Sequence, residues 1–135
     1  MENESLFIKM QMDHKQVCKE IDKINQYLGK YQWMDFRYGY IGEDKIILYG
    51  CIDVGFESNS IEIIFEYPQS ISSKFSWSLY EKKPFILLST SEELYNNTKL
   101  SSERGGYVFK MNDELSEDYQ IFITASGIKC NILKN

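Results

Sequence analysis

The sequence predicts an α+β fold in which an N-terminal strand and one main helix pack on a large, strongly curved antiparallel sheet of about seven or eight strands. Apolar residues recur with a helical period over residues 14–28, and with a period of two in most later stretches. One helix is too small to cover such a sheet, so we expect the sheet to close on itself as a sandwich or a partial barrel. The 135 residues have the length of a single domain, spanning 1–135.

The helix has the clearest local signals. Its apolar residues follow one another at spacings of four, three and four, which places them in one stripe along a helix: Val17, Ile21, Ile24 and Leu28. Asp13 is typical of a helix N-cap, and Gln16 three residues later completes a capping-box pattern. Gly29 suits the position after the last helical residue, where a left-handed backbone is common. We therefore expect a helix over residues 14–28.

The other elements are predicted as strands bounded by turn residues. Pro68 is expected to end a strand, because proline has no N–H to donate to a ladder. Ser126 and Gly127 predict a two-residue hairpin loop between the last two strands, in which Cys130 would lie opposite Ile123. The predicted strands are residues 6–12, 34–40, 45–54, 60–67, 74–80, 85–88, 107–111, 119–125 and 128–133.

Composition and charge narrow the classes of function. The net charge of -5 argues against binding to a nucleic-acid backbone, which requires concentrated lysine and arginine. The three cysteines, Cys18, Cys51 and Cys130, show no CxxC pair and no zinc-site spacing, so we expect small core residues rather than a metal site, a cofactor site or nucleophiles. Isolated thiols suit a reducing compartment. With no signal peptide and no apolar stretch of about 18 residues, we expect a cytoplasmic protein with no membrane contact.

His14 is the only histidine and the first candidate catalytic residue. It follows Asp13 at the start of the predicted helix, where an imidazole beside a carboxylate is compatible with acid–base chemistry. The helix dipole disfavours a positive charge at this end of the helix. No serine or cysteine is predicted to pair with His14, so a local structural role in the first helical turn is the favoured interpretation.

Asp53 and Glu62 form the second candidate site, catalytic or metal-binding. A hairpin with residues 56–59 as its loop places the two carboxylates directly opposite each other, and it keeps the apolar residues of both strands on the other face. Closely opposed carboxylates are typical of acid–base pairs and of hard-metal sites. The hypothesis is that Asp53 and Glu62 bind a cation. The alternative is a pair screened by water beside the loop or by a neighbouring lysine or arginine.

We expect a non-enzymatic, cytoplasmic protein-binding domain. The sequence contains no nucleotide-binding fingerprint, no hydrolase nucleophile motif and no metalloprotease motif. Its size and acidity are instead those of small proteins that neutralise or chaperone a basic protein partner, as bacterial toxin-immunity proteins do. The sequence does not locate the partner-binding surface.

Two other functions stay open. A curled sheet could enclose a pocket for small-molecule binding or hydrolysis, with Trp33, Trp77 and Tyr49 as its lining. Alternatively, the chain is a homo-oligomeric structural subunit that pairs through an edge strand, for which residues 74–80 are the candidate. A filled core with an exposed apolar patch would favour protein binding, and a concave pocket with converging polar groups would favour a small molecule.

Overall fold

A computed structural model describes residues 11–52, 58–90 and 106–134. The elements in these ranges are the helix α1 (His14–Leu28) and the strands β1 (Asp35–Ile41), β2 (Lys45–Cys51), β3 (Ile61–Ser72), β4 (Ser76–Ser78), β5 (Ile86–Leu88), β6 (Tyr107–Asp113) and β7 (Ser116–Ile132). The predicted strand 6–12 lies almost entirely outside the described residues, as does Asp53.

The seven strands form one antiparallel sheet with the order β4-β1-β2-β3-β7-β6-β5. Residues 79–85 join the two edge strands directly, so the ends of the sheet must come near each other. The rings of Phe36 on β1 and Phe85 beside β5 stack with their centroids 4.2 Å apart. The sheet is therefore a curled half-barrel with α1 against it, which confirms the predicted α+β fold and selects the partial barrel over the sandwich.

The core fills the concave side of the half-barrel. The predicted stripe on α1 is buried along its whole length, and Tyr27 joins it. The sheet contributes four phenylalanines that are each at most 2% exposed: Phe36, Phe65, Phe85 and Phe109. Burial of one such side chain stabilises a fold by roughly 1.5–3 kcal/mol. Burial of these apolar side chains on the concave side therefore favours a sheet that curls around them and around the helix.

Asn112 on β6 holds the connection between the two edge strands. Its amide oxygen accepts a hydrogen bond from the backbone N–H of Tyr80 at 3.1 Å, and its amide nitrogen lies within 3.0 Å of the carbonyl oxygens of Tyr80, Lys83 and Pro84. Asn112 is 2% exposed, so these backbone groups are satisfied without water. The side chain thus fixes the path by which the chain crosses from β4 to β5.

The predicted bounds of α1 and the two positions that flank it, Asp13 and Gly29, are confirmed, but the interactions predicted there are not observed. Asp13 occupies the N-cap position with an extended backbone, yet its side chain makes no capping hydrogen bond. Gly29 has φ -62°, a right-handed rather than a left-handed conformation, and its N–H donates to the carbonyl of Asn25 at 2.9 Å. Packing of the apolar stripe, rather than cap chemistry, therefore determines where this helix lies.

The predicted hairpin at Ser126 and Gly127 is also wrong. Residues 116–132 form one continuous strand, β7, because β3 pairs with it from Ile61 opposite Ile132 to Ser72 opposite Phe122. The tight turn lies instead between β6 and β7, where Asp113 pairs with Ser116. The local turn signal at Ser126 is overridden by pairing with a partner strand that is distant in sequence.

The prediction that Pro68 ends β3 is wrong, because β3 continues past Pro68 through a bulge. Tyr67 adopts φ 48°, and the register of β3 against β7 shifts between Pro68 and Ser70. A bulge allows a residue without an N–H to be accommodated inside a ladder. The strand continues to Ser72, and the side chain of Tyr67 leaves the regular alternation.

The predicted register of the β2–β3 hairpin is wrong by four positions. Tyr49, not Asp53, lies opposite Glu62, and Gly50 lies opposite Ile61. Because the shift is an even number of residues, the paired residues 45–50 and 61–66 keep their predicted faces. The hydrophobic pattern therefore predicted the faces correctly, whereas the pairing of Asp53 with Glu62 depended on a loop length that the pattern does not determine.

Candidate protein-interaction surface

His14 lies in the first turn of α1, and the structure gives it a partner that the sequence prediction missed. The sulfur of Cys18 is 3.8 Å from each ring nitrogen of His14. The Tyr107 ring of β6 lies on the other side, with its centroid 6.1 Å from that of the imidazole. The sequence could have predicted this contact. His14 and Cys18 are four residues apart in the predicted helix, and residues i and i+4 are neighbours on a helix surface.

Glu62 lies on the convex face of the sheet among neutral partners. It faces Tyr49 on β2 and Asn131 on β7, and the amide of Asn131 donates a 2.8 Å hydrogen bond to it. Burial raises the pKa of Tyr49, with a smaller contribution from the hydrogen bond and charge of Glu62. Among the residues that the structure describes, no group of three metal-ligating side chains occurs. Cation binding by Asp53 and Glu62 stays a prediction.

Two of the three cysteines are buried. The thiol of Cys51 donates a hydrogen bond to the carbonyl oxygen of Ser58 at 2.9 Å. Cys130 lies opposite Ile63, not opposite Ile123 as predicted, and burial raises the pKa of its thiol. A raised pKa keeps a thiol protonated and unreactive.

The aromatic residues predicted to line a pocket do not converge. Trp77 is buried, with its ring stacked on Phe36 in the core. Tyr49 lies on the opposite, convex face, where its ring covers Gly39. Trp33 is exposed on the surface. The described residues therefore bring none of these three side chains together around a common cavity.

The β1–β2 turn and the adjoining part of β3 carry exposed apolar and acidic side chains that we name the hairpin surface: Tyr40, Ile41, Glu43, Asp44 and Tyr67. Tyr40 is 46% exposed, Ile41 is 56% exposed and Tyr67 is 38% exposed. Both carboxylates are exposed as well.

Hydrogen bonds hold the hairpin surface in one arrangement. The N–H of Gly42 donates to the carbonyl of Lys45 at 2.9 Å, which closes the turn. The N–H of Tyr67 donates to the carbonyl of Asp44 at 2.9 Å and ties β3 to the turn. The Tyr40 hydroxyl donates to the Asp44 carboxylate at 3.2 Å. Tyr40 and Tyr67 are therefore attached to a turn that is fixed by hydrogen bonds.

Two backbone irregularities explain why Tyr40 and Tyr67 point outward. The register of β1 shifts between Tyr38 and Tyr40, so that Tyr40 lies opposite the outward-facing Ile47 instead of continuing the inward alternation. Tyr67 leaves the ladder of β3 through its positive φ. The sequence analysis predicted a strand over residues 34–40 but no irregularity in it, and it did not locate this surface.

The tip of the hairpin surface exposes two carboxylates, Glu43 and Asp44, and one lysine, Lys45. The charge of Asp44 is the main cause that raises the pKa of Tyr40. The ammonium of Lys45 lies 5.9 Å from the centroid of the Tyr40 ring, and behind the tip Lys129 lies 3.5 Å from the Glu66 carboxylate. The charges of Glu43 and Asp44 thus face solvent next to exposed apolar groups.

The chain was compared with protein-family models, with curated proteins and with solved structures, and no match was found in any of the three. In residues 11–52, 58–90 and 106–134, no helix is long and apolar enough to cross a membrane.

Proposed function

We propose that this chain is a non-enzymatic, cytoplasmic domain that binds a basic protein through the hairpin surface. The observation that carries the proposal is the exposed ring of Tyr40, which is bonded to Asp44 next to the exposed carboxylate of Glu43 on a hydrogen-bonded turn. Ile41 and Tyr67 are exposed in the strands beside this turn. Neutralising or chaperoning the basic partner is the role that we assign to the interaction.

The apolar part of the surface is suited to supply affinity. Tyrosine is among the residue types that dominate binding free energy at interfaces, because it buries a large area with few rotatable bonds. The ring of Tyr40 is already held by its hydrogen bond to Asp44 and lies against Gly42. Less side-chain entropy is then lost on binding.

The charged part of the surface is suited to select a basic partner. The chain carries a net charge of -5, and the tip of the hairpin exposes Glu43 and Asp44 together. Opposite charge on the partner accelerates association and suppresses binding to acidic proteins. These features support a partner with a lysine- or arginine-rich face.

The alternatives have less support. A small-molecule or hydrolytic site requires converging groups, whereas the described inward side chains of the half-barrel pack against one another. For homo-oligomerisation, β4 lies at an edge of the sheet, as predicted for residues 74–80. However, it has only three residues, and the carbonyl of Ser78 already accepts a 3.0 Å hydrogen bond from the N–H of Glu114.

The test is affinity capture from the native host with a charge-reversed variant, Glu43→Lys/Asp44→Lys, followed by titration with the purified captured protein. We expect the wild-type chain to recover one basic protein in stoichiometric amount. We expect the variant to bind that protein at least about tenfold more weakly, because close interfacial charge pairs contribute about 1.5 kcal/mol or more.

The matched control is Glu114→Lys/Asp118→Lys, which makes the same change of charge at the other end of the sheet. Both residues are exposed, and the backbone of Glu114 is bonded to Ser78, which pairs with the first residue of β1 rather than the last. This control should bind the partner with nearly the wild-type affinity. Equal weakening in both variants, an acidic captured protein, or no stoichiometric protein at all would overturn the proposal.

A further inference from the structure

Two large apolar side chains near the β6–β7 turn are largely exposed. Phe75, which precedes β4, is 96% exposed, and Leu115, in the turn itself, is 79% exposed. The buried carboxylate of Asp113 holds the chain at both places, because it accepts a hydrogen bond from the Lys74 ammonium and another, at 3.1 Å, from the N–H of Leu115. Both apolar side chains therefore project into solvent from a backbone that is held in place.

A cleft of about 290 Å³ begins directly after β4, between the C-terminal end of α1 and residues 79–85. Part of its lining is apolar: Leu28, Leu79, Pro84 and Phe85. Since a cavity of about 150 Å³ accommodates a benzene ring, the cleft has room for the side chain of a phenylalanine. Phe75 of the same chain does not fill it, because that side chain is almost fully exposed.

The turn and the cleft carry opposite charges. The turn and the start of β7 expose three carboxylates: Glu114, Glu117 and Asp118. The charge of Lys74, the nearby lysine, is balanced by Asp113. The cleft is lined by two lysines and one carboxylate: Glu81, Lys82 and Lys83. In the part of the chain that the structure describes, neither Glu114 nor Lys82 forms an ion pair.

We propose that two copies of this chain form a symmetric dimer in which Phe75 of each copy inserts into the cleft of the other. Only the three residues of β4 separate Phe75 from Leu79 in the cleft, so a two-fold axis beside β4 brings each Phe75 to the cleft of the other copy. The same approach brings the acidic turn of each copy toward the lysines of the other. The contact uses side chains rather than the backbone edge of β4, and it does not involve the hairpin surface.

The dimer should be weak, because a phenylalanine buries about 150–250 Å² and two such contacts fall below the roughly 1,200 Å² of a standard interface. The test is sedimentation equilibrium of the full chain from about 10 μM to about 1 mM, the range of weak affinities. We expect the average mass to rise from that of one chain toward that of two. Phe75→Ser should weaken the dimer at least about tenfold. The matched control is Leu133→Ser, which removes an exposed apolar side chain just beyond the other end of β7 and should leave the dimer unchanged.

The cleft and the charges have their own readouts. Gly29 lines the cleft, and a Cβ atom added there would lie 3.2 Å and 3.6 Å from the carbonyl oxygens of Asn25 and Gln26 and otherwise in open space. Gly29→Leu should therefore fill the cleft and weaken the dimer at least about tenfold without changing the circular dichroism spectrum. Lys82→Glu should weaken the dimer by about threefold, and adding Glu114→Lys to it should restore the wild-type affinity.

A chain that stays monomeric up to about 1 mM would rule out the dimer and leave a different protein as the ligand of Phe75. Equal weakening by Phe75→Ser and Leu133→Ser would also rule it out. So would a folded Gly29→Leu variant that dimerises like the wild type, or a doubly charge-reversed chain that dimerises no better than Lys82→Glu. None of these substitutions alters the hairpin surface, so the outcome is independent of the proposed function.

Discussion

The side-chain amide of Asn25 on α1 pairs with both backbone groups of Ile86, the first residue of β5. The amide nitrogen donates to the Ile86 carbonyl at 2.8 Å, and the amide oxygen accepts from the Ile86 N–H at 3.0 Å. Since β5 is an edge strand, the helix side chain takes the place of a neighbouring strand at this residue. One residue therefore links the helix to the open edge of the half-barrel.

Replacing Asn25 by alanine should lower the free energy of unfolding by about 2 kcal/mol, because two backbone groups of the partly buried edge lose their partners. The measurement is urea unfolding followed by circular dichroism. The matched control is Asn131→Ala, which removes a hydrogen bond between exposed side chains on the convex face and should change stability by less than about 1 kcal/mol. Equal losses in the two variants would contradict the structural role of Asn25.

The sequence predicted which side chains of the helix and strands are buried better than it predicted how the strands connect and pair. The spacing of Val17, Ile21 and Ile24 predicted α1, because a helical stripe is a local pattern. Asp13 and Gly29 predicted where the helix begins and ends. The two halves of β7 were also recognised as strand. Their fusion into one 17-residue strand was missed, because it depends on the pairing of β7 with β3, some 60 residues earlier in the chain.

The candidate surface was missed for a related reason. A bulge changes the face of every later residue in a strand, but it leaves no mark in a pattern of apolar and polar residues. The predicted strand 34–40 therefore gave no sign that the register shifts between Tyr38 and Tyr40 and turns Tyr40 outward. Contact between His14 and Cys18, by contrast, was predictable, because it requires only the geometry of a helix.

Gly50 on β2 lies where the core leaves no room for a side chain. A methyl group added there would lie 2.7 Å from the sulfur of Met34 and 2.8 Å from carbon atoms of Ile61 and Phe36. All three neighbours are fully buried, so none can move away freely. Gly50→Ala should therefore lower the free energy of unfolding by about 1–3 kcal/mol in chemical denaturation.

Gly39 on β1 provides the matched control for that substitution. An added methyl group would meet only the ring of Tyr49, a side chain on the convex face with solvent beside it. The ring can turn aside, so Gly39→Ala should change the free energy of unfolding by no more than about 0.5 kcal/mol. Similar losses for both glycine substitutions would show that backbone freedom, rather than core packing, explains the requirement for glycine at position 50.

Tyr38 should make the stability of the fold depend on pH in the alkaline range. Burial raises the pKa of Tyr38 from 10.0 to about 12, although its hydrogen bond to Ser73 acts in the opposite direction. The folded state therefore holds the phenolic proton more tightly than the unfolded state does. The resulting stabilisation is fully present below pH 10 and is lost as the pH rises toward 12.

The measurement is the difference in free energy of unfolding between the wild-type chain and Tyr38→Phe at several pH values. Because phenylalanine does not titrate, the difference should be constant between pH 7 and pH 9, where it reflects the lost 2.7 Å hydrogen bond to Ser73. Above pH 10 the wild type should lose stability faster than the variant. Comparing the two chains cancels the titration of lysines and of the other tyrosines, so a difference that stays constant up to pH 11.5 would show that the Tyr38 proton is bound equally in both states.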